Sequence, residues 1–195
     1  MSGSTSQVIE PRVLLEGLAI GESPRWHDGR LWFSNWGTGE IVAVDLDGKS
    51  EVAEELAFPN GMVVTPDNRT LIVAESFAGR LTAFEVDDDG SLSNRRTWAD
   101  GIAPDGICLD AEGCIWASTA HDANDCARVR EGGEVLERIQ LDRSCFASML
   151  GGPDRRMLFM LAADWRGPEN VDEVVAARTG QVLVADAPAA GVGWP

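Results

Sequence analysis

The chain has 195 residues, a mass of 20.9 kDa and a formal charge of −16, from 16 basic and 32 acidic side chains. That length suits one domain or a ring of small repeated units sharing a continuous core, and the charge repels polyanions, which excludes nucleic acid as a partner. No apolar run approaches the roughly 18 residues of a membrane span, so no membrane partner is expected either.

In chain order, Met1 to Gln7 is small and polar, with neither the basic flank nor the apolar centre of a secretory signal. Residues 1–12 therefore read as a flexible leader, residues 13–195 as a single domain, and the expected setting is cytoplasmic. Short β-branched runs follow, at Arg30 to Ser34, Glu40 to Leu46, Thr70 to Glu75, Arg80 to Val86 and Gly113 to Ser118, with the patterning of strands. Asp28-Gly29, Asp47-Gly48, Asp67-Asn68, Asp89-Gly90, Glu112-Gly113 and Gly132-Gly133 separate strand-like pieces, and each can supply the positive φ of a tight hairpin. Cys108, Cys114, Cys126 and Cys145 lack the CxxC spacing of zinc or redox motifs and read as buried reduced thiols. Only residues 168–178 depart from the strand pattern: Val171, Val174, Val175 and Arg178 follow Asn170 at near-helical spacing, predicting a loop with one or two helical turns.

A longer period underlies the hairpins. Glu22-Ser23-Pro24-Arg25-Trp26 leads to Asp28-Gly29, Asn60-Gly61-Met62 leads to Asp67, and Asp105-Gly106-Ile107 leads to Asp110. A weaker copy, Ala147-Ser148-Met149-Leu150, leads to Pro153-Asp154 and the apolar run Met157 to Leu161. Four such repeats predict an all-β chain folded as a β-propeller of about four blades, with a β-sandwich as the alternative. Trp26, Trp36, Phe58, Phe77 and Trp165 are expected to pack mostly between blades, a minority lining a pocket.

Glu22, Asn60 and Asp105 occupy one position in three successive repeats, at the entry to each innermost strand, so a ring converges them on its axis. Two carboxylates and an amide suit a hard divalent cation such as calcium, magnesium or manganese, although Asp and Asn beside Gly are also ordinary turn formers. The fourth repeat places Ala147 there, which cannot ligate. His27 and His121 have no partner at metal-ligand spacing; His27 is expected in solvent beside its turn, and His121 is a candidate pocket residue. Arg25 and Arg166 are candidates for binding carboxylate or hydroxyl groups, with surface roles equally open. No nucleophile elbow or phosphate loop is present, and no organic cofactor is expected.

Together, Glu22-Ser23-Pro24-Arg25-Trp26, Phe58-Pro59-Asn60-Gly61-Met62 and Pro104-Asp105-Gly106-Ile107-Cys108 resemble the metal-site motifs of the senescence marker protein, gluconolactonase and luciferin-regenerating enzyme family, from about Val13 to Pro195. The resemblance implies a propeller, six-bladed in the family, with one divalent cation on its axis, commonly calcium or zinc, that opens sugar lactones. It implies Glu22, Asn60 and Asp105 as ligands and Asp105 as the general base. Glu54-Glu55 runs straight into Leu56-Ala57-Phe58, where relatives are expected to carry two further blades with more of the substrate contacts. That shortening predicts a closed four-bladed ring ahead of an open arc that pairs as a homodimer, or a poorly folding fragment. It also leaves a non-catalytic cation- or ligand-binding scaffold as the alternative to a lactonase.

Overall fold

The structure, a computed structural model, describes residues 11–119 and 124–192. Its strands form four antiparallel sheets, each a meander in sequence order. The first blade is β1 (Gly21–His27), β2 (Arg30–Asn35), β3 (Glu40–Asp45) and β4 (Ser50–Ala53). The second is β5 (Pro59–Val64), β6 (Thr70–Glu75), β7 (Arg80–Val86) and β8 (Leu92–Asp100), and the third is β9 (Ile107–Leu109), β10 (Ile115–Thr119), β11 (Asp125–Val129) and β12 (Val135–Gln140). The fourth has three strands, β13 (Ser144–Gly151), β14 (Met157–Ala163) and β15 (Gln181–Asp186). Four sheets packed in succession form a propeller arrangement and not the two faces of a sandwich.

The turns fall where their residues require. Asp28, Asn68, Gly48, Gly90, Gly113 and Gly132 all have positive φ, which Gly adopts freely and Asn or Asp at modest cost. Strand periodicity then sends alternate side chains to opposite neighbours. On β6, Leu71 and Val73 meet Trp32, Ile41 and Phe84 between the first two blades, whereas Ile72 and Ala74 meet Trp98, Ile115 and Val129 between the second and third. Trp116, Cys126, Cys145, Leu158 and Met160 fill the third interface. Burying one such Leu or Ile contributes about 1.5–3 kcal/mol, so the three interfaces hold the blades in line. The aromatic residues at their centres are therefore Trp32, Trp98 and Trp116, while Trp26 and Phe77 are mostly exposed. All four cysteines are free and buried.

The junction between the first two blades is firmly held. The fully buried Glu75 carboxylate accepts hydrogen bonds from Ala57 N (2.8 Å), Arg80 Nε (3.0 Å) and the Thr82 hydroxyl. Arg95 donates to the carbonyls of Glu54 (3.1 Å) and Glu55 (2.9 Å), and Leu56 is buried in the interface. The direct run from Glu54 to Phe58 is thus tied into the interface between the two blades.

The ring expected to close is open. Each apolar cluster joins consecutive blades or lies on the first blade, and no strand pairing joins the fourth blade to the first among the described residues. The free face of the fourth blade exposes Leu161 (49%), Val182 (67%) and Val184 (55%). The outer face of the first blade is covered instead. Leu14 and Leu15 pack on Phe33, Val42 and Val44, while Ala19 N and Ile20 N donate to Asn35 Oδ1 at 3.0 and 3.1 Å. Closure would require each interface to repack at a new angle, at about 1–3 kcal/mol per overpacked site; the arc keeps all three interfaces filled.

Residues Val171–Ala177 form the one α-helix among the described residues, α1, after a 3-10 turn at Pro168–Asn170. Asn170 stands at the N-cap, but its side chain donates back to Arg166 O (2.6 Å) and does not cap. Among the described residues no helix is long and apolar enough to cross a membrane.

Candidate functional site

Three of the four innermost strands begin at an irregularity that turns a side chain toward the axis. Pairing slips between Glu22 and Arg25 in β1, between Pro59 and Met62 in β5, and between Cys145 and Ala147 in β13. The blades are stitched there: Gly61 N donates to Asp105 O (3.1 Å), Gly106 N donates to Phe146 O (2.9 Å), and Ser34 Oγ donates to Asn60 O (3.1 Å). Only glycine permits this approach. A Cβ on Gly61 would lie 2.7 Å from Ile107 N, and one on Gly106 would lie 2.7 Å from Ala147 Cα.

The repeated stitch corrects the fourth axial position. Phe146, not Ala147, accepts from Gly106 as Asp105 accepts from Gly61, so an aromatic ring stands where the other blades present Glu22, Asn60 and Asp105. The slip at Phe146 displaces the alignment by one residue, and apolar spacing alone does not reveal it. Phe146 packs edge-on against Trp165, with centroids 5.7 Å apart.

Asn60 Nδ2 donates to Asp105 Oδ1. Burial pushes the Asp105 carboxyl up to about 7, the nearby Glu22 charge pushes the same way, and the Asn60 hydrogen bond opposes both. Glu22, Arg25, Asn60 and Asp105 share one cleft of about 660 Å³. Arg25 donates to Pro24 O (2.9 Å), its Nε is buried without a partner, and burial lowers its guanidinium from the ordinary value. His121 lies outside the described residues. His27 is half-buried rather than in open solvent, because it pairs with Arg30 at the end of its hairpin, and its Nε2 has no partner. Arg166 pairs with Asp164 and Glu173 outside the cleft. Trp36 and Phe58 line the cleft with their rings tilted, centroids 5.2 Å apart, and Phe77 stacks on Phe58 at 4.4 Å.

The donor set fits a divalent cation. Among the described residues no group of three His, Cys, Asp or Glu side chains gathers, so the third donor at this point is the Asn60 amide, whose oxygen faces Asp105 once the amide is turned. A positive charge between Glu22 and Asp105 would relieve the repulsion that raises Asp105. Cys108, pushed up to about 12 by burial, is no nucleophile at neutral pH.

Comparison with known proteins agrees with the fold. Regucalcin of Xenopus laevis is 29% identical over 150 residues, covering 69% of this chain and 49% of its own. A structure described as a calcium-binding protein, regucalcin, from Agrobacterium tumefaciens superposes with a TM-score of 0.68 at 20% identity, covering 89% of this chain and 62% of that one. A gluconolactonase from Xanthomonas campestris gives a TM-score of 0.56 at 24% identity, covering 70% and 53%. The chain spans about half the length of the curated relatives it matches. The family model described as the SMP-30/gluconolactonase/LRE-like region matches residues 35–164, and the chain belongs to that family.

Proposed function

We propose that the chain is a lactonase that opens a cyclic ester at Glu22, Asn60 and Asp105 with the help of a divalent cation, calcium or zinc before manganese or magnesium. The observation that carries this reading is Asp105, buried at the axis beside a second carboxylate and hydrogen-bonded to Asn60. Family membership and the likeness to proteins described as a gluconolactonase and as calcium-binding support it.

Glu22, Asn60 and Asp105 would hold the cation, which would supply Lewis-acid polarisation of the lactone carbonyl and acidify water. Asp105 takes the proton of the attacking water. As the acyl carbon–oxygen bond breaks, that proton passes to the departing ring oxygen, leaving a hydroxy acid. Arg25 holds the carboxylate of the product.

The test is lactone hydrolysis by chelated protein before and after calcium, zinc or manganese is added. Metal-restored turnover that Asp105→Ala abolishes supports the reading. A metal-dependent rise in melting temperature without turnover of any lactone assigns the chain to the binding scaffold instead.

A further inference from the structure

The cleft has two unlike walls. The first three blades supply the ionisable and amide groups, Glu22 and Arg25, Asn60, and Asp105, whereas the fourth blade contributes Phe146, Met149, Phe159 and Leu161. Phe159 and Leu161 both point to the free face of β14, because Leu158, Met160 and Ala162 between and beside them are buried against the third blade. Ser148, a polar residue on that side, is already bonded to Trp116 O (3.5 Å). Beyond the three axial side chains, Ser23, Arg25 and the indole N–H of Trp36 are the polar groups left to meet a substrate among the described residues.

A polyhydroxylated ring placed here would leave hydroxyls against an apolar wall, each costing about 1–3 kcal/mol if unpaired. An alkyl chain would instead gain about 0.8 kcal/mol per buried methylene. The wall is continuous with the reacting position, since it begins at Phe146, next along the axis from Asp105. Resting on the lactonase reading, we propose that the substrate is a lactone bearing an alkyl chain, with the ring at Asp105 and the chain lying on Phe146, Met149, Phe159 and Leu161.

The experiment uses the full chain and two probes. The first is hydrolysis of δ-decalactone, δ-valerolactone and glucono-δ-lactone by calcium-loaded protein. The second is binding of the unreactive lactams 6-pentyl-2-piperidinone and 2-piperidinone, measured by calorimetry on chelated protein. The expected result is a kcat/KM at least about tenfold higher for δ-decalactone than for either other lactone, and the same preference in lactam binding. Five added carbons are worth more than this factor if fully buried. Leu161→Asp, at a half-exposed site, should erase both preferences, while Val175→Asp on exposed α1 should leave them intact. Equal binding of the two lactams, or a preference for glucono-δ-lactone, overturns the proposal. Selective lactam binding without hydrolysis of any lactone would sink the lactonase reading and leave the alkyl subsite standing.

Discussion

Asn60 donates its side-chain amide hydrogen to the carboxylate of Asp105 across the seam between the second and third blades. Its neighbour Gly61 donates a backbone hydrogen to the carbonyl of that same aspartate. One residue pair thus fixes both the main chain and the side chain at the axis, and the groups that would do chemistry are also those that register the blades.

Asp105 should therefore trade stability for function. Its folded pKa of about 7 lies above the ordinary 3.8, so the fold favours the protonated form. The associated stability is full below about pH 4 and lost as pH rises through 7. Asp105→Asn should melt higher than the parent above pH 7 in chelated protein, by several degrees, and no higher at pH 4, while lactone turnover disappears. Thermal scans at the two pH values check this, and an equal gain at both would contradict it.

Asn60→Asp should invert that balance. A third carboxylate beside Glu22 and Asp105 adds repulsion without a cation and affinity with one. The chelated variant should melt below the parent at pH 8, and its calcium-induced rise should exceed the parent's. Calorimetric titration with calcium would show a tighter Kd.

Glu75 governs the acid side. Burial pushes its carboxyl up, but hydrogen bonds from Arg80, Ala57 N and Thr82 outweigh that and hold it low. A depressed carboxylate contributes stability above its ordinary pKa that is lost as pH falls through the folded value. The parent should lose this contribution below about pH 4.5, the ordinary value. Glu75→Ala should cost about 3–5 kcal/mol at pH 7 and show a shallower acid transition in denaturant titrations.

Gly106→Ala should cost about 1–3 kcal/mol through overpacking, because its Cβ would meet Ala147 Cα at 2.7 Å and Phe146 O at 2.9 Å. Gly180→Ala, where nothing lies within 4 Å, is the matched control and should be neutral within about 0.5 kcal/mol. Urea midpoints of the two variants decide it.

The sequence makes the blades readable because turn chemistry is local: Asp28-Gly29 and Asp67-Asn68 announce their hairpins whatever surrounds them. Glu22, Asn60 and Asp105 are readable for the same reason, each lying a short distance before such a turn. Phe146 is not, because one slipped pairing in β13 moves the axial position by a residue. The fate of the tryptophans depends on strand face: Trp32 and Trp116 lie within strands and are buried, while Trp26, one residue from a turn, is not. Ring closure is a property of angles summed over blades, which no local motif encodes.

The two ends of the arc are unlike, and that limits how copies of the chain can meet. Head-to-tail growth would require the bare fourth-blade face of one copy to seat on the first-blade face of the next. Leu14 and Leu15 already occupy the latter, and Arg12 ties the same segment to Leu46 O (3.2 Å). Association of two copies through the exposed Leu161, Val182 and Val184 would be a twofold contact that terminates itself. The N-terminal strap would thus act as a stopper against filaments, ending association through the bare face at two copies.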